Sequence, residues 1–128
     1  MSDFNSRHNR AVWFDIPVAD LERAAAFYRA VLNVGVSVEN TPGGAFGLLE
    51  HDQGNGGCLM PAPESITGTG GIMVYLNVDG RLRDAVAQVA AHGGQVVQAP
   101  HNLGPHGSRA VVLDSEGNRL ALHSTESV

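Results

Sequence analysis

Asp15, Arg109 and His123 are the polar residues of this chain best placed to do chemistry. Each falls in a strand-like segment at a position whose alternation points it away from the apolar side. Imidazole titrates near neutrality, so His123 can act as a base or anchor a ligand. A hydrogen-bonded histidine closing a sheet edge fits its position equally well. An acid among apolar neighbours needs a partner or a raised pKa. For Asp15 the available partners are Arg109, His123 or a ligand, and an ion pair with Arg is the simplest account. Arg109 shares the alternation of Val111, where it either touches a ligand or sits solvated at a cavity mouth. Trp13 has the parity of Asp15. Met73 and Tyr75 would add an adaptable thioether and aromatic wall, or merely fill space. Cys58 has no basic neighbour in sequence to lower its pKa and reads as a small buried hydrophobe. His101 and His106 lie in a Gly/Pro-containing loop, too irregularly spaced for a standard metal site.

The elements that position these residues come as a repeat. Phe14-Asp15-Ile16-Pro17-Val18 and a helical stretch return as Val74-Tyr75-Leu76-Asn77-Val78 and a second helix, and each copy closes with a strand, Cys58–Met60 and Ala121–His123. Such duplication marks one supersecondary unit used twice. Ala11–Val18 is expected to be a strand with Phe14, Ile16 and Val18 inward. Asp20 is a natural helix N-cap, followed by the stripe Leu21, Ala24, Ala25, Tyr28 and Leu32. Two or three strands fit between Gly35 and Pro61, punctuated by glycine-rich turns. The second copy runs from Gly71, with Ile72, Val74, Leu76 and Val78 inward, through a helix stripe of Leu82, Ala85, Val86, Val89 and Ala90 that stops at Gly93-Gly94. A short strand at Gln95–Gln98, a loop at His101–Gly107 and a hairpin around Asp114–Asn118 complete it. This predicts an α+β fold in a single domain, 1–128. Two tandem βαβββ modules (about 8–61 and 71–124, linker 62–70) would form a curved, partly open barrel-like mixed sheet with the helices outside.

A length of 128 residues allows one compact domain, and 43% hydrophobic with 16% charged residues is an ordinary globular balance. The net charge of -5 opposes nucleic-acid binding, which needs clustered cations. All eight basic residues are Arg, which reads as a compositional bias. A single cysteine excludes an internal disulfide, no apolar run is long enough to span a membrane, and the polar start lacks a signal-peptide pattern. The expected setting is cytoplasmic.

The helix motif Asp20-Leu21-Glu22-Arg23-Ala24 with Phe27-Tyr28, taken with the hairpin Leu113-Asp114-Ser115-Glu116-Gly117-Asn118-Arg119-Leu120, resembles the vicinal oxygen chelate superfamily of glyoxalases, bleomycin-resistance proteins and extradiol dioxygenases. The resemblance covers nearly the whole chain. It implies divalent-metal ligands (His, Glu or Gln) on the first and last strands of each module. Those slots fall here on Trp13, on or near Cys58, on Met73 and on Ala121. Trp and Ala cannot ligate, and a thioether is a poor ligand for hard or borderline ions. No metal and no cofactor are therefore expected.

These readings predict a metal-free apolar cavity that binds a small molecule, for sequestration or resistance. Its walls would be Trp13, Asp15, Cys58, Met73, Tyr75, Arg109, Val111, Ala121 and His123. Leu21, Val74, Leu76, Val86 and Val89 are placed on the opposite, helix-packed side. The rival is a glyoxalase- or dioxygenase-like lyase or isomerase acting on a small organic substrate, with displaced metal ligands or with Asp15 and His123 as its catalytic groups. A sensing or interaction module is the third reading. A small-molecule ligand and a homodimer are the expected partners, without nucleic acid or membrane.

Overall fold

The computed structural model describes residues 9–128. The first module consists of β1 (Asp15–Val18), α1 (Leu21–Leu32), β2 (Val36–Thr41), β3 (Gly44–Leu49) and β4 (Cys58–Pro61). The second consists of β5 (Tyr75–Asn77), α2 (Leu82–Ala91), β6 (Gln95–Asn102), β7 (Ser108–Leu113) and β8 (Arg119–Ser124). Each forms its own four-stranded mixed sheet, in the order β1-β4-β3-β2 and β5-β8-β7-β6. In both, the first strand pairs in parallel with the last, and the other pairs are antiparallel. The described residues form no closed barrel.

Strand alternation decides which side of each sheet meets a helix. Ile16 and Val18 of β1, Leu76 of β5 and Val78 just after it are buried in the common core, whereas Asp15, Tyr75 and Asn77 stay exposed. Leu21, Val74 and Val86 pack against the same core, and Leu76 and Val89 belong to it. Helix α1 contributes Ala24, Ala25, Phe27, Tyr28 and Val31. The Asp20 carboxylate caps it by accepting from the Arg23 backbone N–H at 3.1 Å. Leu59 and Leu122, at the centres of the two sheets, are fully buried, each stabilising by about 1.5–3 kcal/mol relative to exposure. Cys58, Val111 and Ala121 are also buried but lie outside this helix-packed cluster, on the alternate face of their strands.

Three expectations about element bounds need correction. The first strand begins at Asp15 rather than Ala11, although the Phe14 carbonyl still accepts from Cys58 N–H at 3.0 Å. Ile72 is not inward: β5 begins only at Tyr75, and Ile72 is 92% exposed. Strand β6 continues through Pro100 to Asn102, taking in His101. It is the outer strand of its sheet, where a residue without an N–H is tolerated, and its register shifts at bulges.

The modules are locked by the β7–β8 hairpin. The buried Asp114 carboxylate accepts from Tyr28 O–H at 2.5 Å, from the backbone N–H groups of Glu116 and Asn118 at 2.8 and 2.9 Å, and from Asn118 Nδ2 at 3.0 Å. Asn118 Nδ2 also donates to the Pro17 carbonyl at 2.7 Å. Burial first, then the Asp114 charge and hydrogen bond, hold the Tyr28 hydroxyl well above the usual phenol range. Glu116 reaches back across the junction. It accepts from Arg23 Nε and Nη2 at 2.7 and 2.8 Å, and from the backbone N–H groups of Ala19 and Asp20 at 2.9 and 2.8 Å.

Candidate functional site

The residues expected to line one cavity fall into two groups, one on each sheet. In the first, Asp15 and Cys58 are register partners on β1 and β4, and the thiol donates to Asp15 Oδ1 at 3.1 Å. The partner of Asp15 is thus a thiol, not Arg109 or His123, because the parallel β1–β4 ladder puts Cys58 beside it. Trp13, just ahead of β1, meets the His51 ring edge-on at a centroid distance of 5.7 Å. Burial and the Asp15 carboxylate push the Cys58 thiol up to about 11, against the opposing influence of the Trp13 indole N–H. At pH 8 the thiolate fraction of such a group is only about one in a thousand. Native protein is therefore expected to react with a disulfide reagent orders of magnitude more slowly than unfolded protein. Equal rates in the two states would refute this environment for Cys58.

The second group is larger, and the ladder of the second sheet assembles it. One row across the strands reads Gln98, Val111, Ala121, Tyr75, and the next reads His101, Arg109, His123, Asn77. Residues directly opposed in register share a face. The second row therefore sets two imidazoles and a guanidinium beside the Tyr75 ring, over a floor of buried Val111 and Ala121. Arg109 Nε donates to His101 Nε2 at 3.0 Å, and Nη1 donates to the Tyr75 hydroxyl. The guanidinium carbon lies 5.8 Å from the Tyr75 ring centroid, within cation–π range. The rings of Tyr75 and His123 meet at 6.2 Å.

Hydrogen-bond chemistry assigns the tautomers. His101 Nδ1 lies 2.8 Å from the Ala99 carbonyl, which can only accept, so Nδ1 carries the proton and Nε2 is the acceptor facing Arg109. By the same reasoning, His123 Nε2 donates to the His106 carbonyl at 2.8 Å. Met73, half-buried ahead of β5, completes the expected set.

Sequence reasoning missed His51 and His101. Trp13, the ring neighbour of His51, is 38 residues away in the chain, and His101 falls in a segment that reads as a loop. The pairing of Gln98 with Val111 and of His101 with Arg109 shows why, since three steps on β6 match two on β7. The bulge supplies the extra residue that turns His101 onto the face of Arg109.

Open crevices lie beside these groups. Asp15 lines one of about 220 Å³ together with Pro17, Val74, Asn118 and Arg119, where the inner edges of the two sheets approach. A groove of about 340 Å³ at the start of α2 and residues 126–128 shares no residue with either group.

The donor set does not fit a divalent ion. Of the four slots, Trp13 and Ala121 offer no ligand atom and Met73 only a thioether. The Cys58 thiol keeps its proton and donates it to Asp15. Among the described residues no group of three or more His, Cys, Asp or Glu side chains is arranged to hold a metal.

Two tandem βαβββ modules, each with a helix on one face of its sheet and a helix-free face bearing the polar residues, define the class of protein. Residues 10–122 match the Glyoxalase/Bleomycin resistance protein/Dioxygenase superfamily, and the chain belongs to that superfamily. Solved structures share the fold. Hypothetical protein SA1046 from S. aureus is 23% identical, covering 91% of this chain and 94% of its own, with a TM-score of 0.68. A glyoxalase/bleomycin resistance protein from Albidiferax ferrireducens T118 is 18% identical over 88% and 95%, with a TM-score of 0.69. The genomically encoded fosfomycin resistance protein from Listeria monocytogenes is 13% identical over 91% and 93%, with a TM-score of 0.67. No curated protein matches the chain. No helix among the described residues is long and apolar enough to cross a membrane.

Proposed function

We propose that this protein binds a small organic molecule without a metal ion, on the helix-free faces of its sheets, in a sequestering or resistance role. The observation that carries this reading is the convergence of Tyr75, Arg109 and His123 over buried Val111 and Ala121, in a chain whose metal slots hold no donor set suited to a divalent ion. Apolar walls supply most of the affinity in such sites, and a few polar groups fix orientation. Trp13, Asp15 and Cys58 would form the second wall, with Met73 ahead of β5 beside the first. A homodimer in the cytoplasm belongs to the same reading. Its support is the open character of both helix-free faces, the commonness of two-fold pairing, and a lone cysteine kept as a thiol.

The test combines mass spectrometry of compounds that co-purify with the protein and a thermal-shift screen of small organic molecules. A ligand at a hundred times its Kd stabilises the native state by about 2.7 kcal/mol, so binders raise Tm in a concentration-dependent way. Trp13→Ala is expected to weaken binding while leaving the far-ultraviolet spectrum unchanged. Zinc, iron or nickel bound stoichiometrically at Trp13, Met73 and Ala121, or a screen in which no compound raises Tm, would overturn the proposal.

A further inference from the structure

On the strength of that reading, we infer that the ligand carries an anionic group, a carboxylate or phosphonate, and that Arg109 with Tyr75 receives it. Hydrogen-bond accounting carries the step. A guanidinium has five N–H donors. On Arg109 one is taken by His101 Nε2 and one by the Tyr75 hydroxyl oxygen. Among the described residues the remaining donors have no acceptor, and no Asp or Glu forms an ion pair with Arg109. The Tyr75 hydroxyl accepts from Arg109, which leaves its own proton free to donate. The cluster therefore presents a surplus of donors and a net positive charge, and the ligand group that complements it is an acceptor-only anion.

Two features separate this from an ordinary solvated arginine. The guanidinium is held from both sides, by an imidazole whose tautomer is fixed through Ala99 and by an aromatic ring, so an incoming anion meets a pre-positioned fork. The positive patch also opposes the overall charge of -5, so anions attracted to it are drawn by the local arrangement and not by the molecule as a whole.

Matched probes of opposite charge character provide the experiment. Benzoate, its neutral analogue benzamide, and phenylphosphonate are titrated into ¹⁵N-labelled full-length protein, following the backbone amides of β7 and β8 and the Arg109 Nε–H signal. Benzoate and phenylphosphonate are expected to move these signals and to bind at least tenfold more tightly than benzamide, with the advantage shrinking as salt is raised. Arg109→Gln is expected to remove the preference for the anions while the remaining spectrum keeps its native dispersion. Arg83→Gln, the same charge change on the exposed side of α2, is expected to keep it. Benzamide binding on β7–β8 as tightly as benzoate, or an anion preference that survives Arg109→Gln, would overturn the inference and leave the binding face standing. If no probe moves the β7–β8 amides, the inference and the proposed face fall together.

Discussion

Replacing Asp114 with Ala is expected to destabilise the protein by about 3–5 kcal/mol. The carboxylate is 2% exposed and satisfies four donors at once: the Tyr28 hydroxyl, two backbone N–H groups and the Asn118 amide. Alanine removes all four acceptor contacts and leaves the Tyr28 hydroxyl without its partner in the core. Tyr28→Phe is expected to cost less, about 1 kcal/mol, because Asp114 keeps its other donors. Urea unfolding followed by circular dichroism measures both. A loss below 1 kcal/mol for Asp114→Ala would show that the hairpin does not hold the modules as described.

Acid is expected to weaken the fold through Glu116. Burial pushes this carboxyl up, but the Arg23 guanidinium, the backbone N–H groups of Asp20 and Ala19 and the Ser115 hydroxyl together bring it down to about 2, from an ordinary 4.5. A carboxyl with a depressed folded-state pKa contributes stability that is complete above the unfolded value. That contribution is lost as pH falls from about 4.5 to about 2. The gap corresponds to about 3 kcal/mol at full strength. Solvent screening at Arg23, whose side chain is 51% exposed, reduces it to about 2 kcal/mol. Stability curves measured between pH 6 and pH 2 should therefore steepen on the acid side, and Glu116→Gln should flatten that limb while lowering stability at neutral pH. An acid limb of the same slope in wild type and variant would contradict the assignment.

The architecture was legible because a period of about sixty residues and the alternation of β1 and β5 are local signals. Ile16, Val18, Leu76 and Val78 inward and Asp15, Tyr75 and Asn77 outward follow from parity alone. Parity carries no signal for where pairing begins, which is why Ile72 was drawn inward when the chain there has not yet joined the sheet. It also fails across a bulge, so that His101 was lost to the site. Long-range partners were invisible for a different reason. Nothing near Tyr28 announces Asp114 and nothing near Asp15 announces Cys58, since both pairs exist only once the ladders and the module junction have formed. Asp114, read from the sequence as a turn residue, gathers four hydrogen bonds on a buried carboxylate.

The hairpin of β7 and β8 bears on evolvability. Its turn, with Asp114, Glu116 and Asn118, ties the two modules together, whereas its shafts carry Arg109 and His123 on the face turned away from the helices. The groups that would meet a ligand are therefore not the groups that maintain the architecture. Exchanges at Tyr75, Arg109 or His123 touch none of the junction's hydrogen bonds, so the chemistry of this face can change without loosening the module junction. A change at Asp114, Glu116 or Asn118, in contrast, removes a contact that joins the modules.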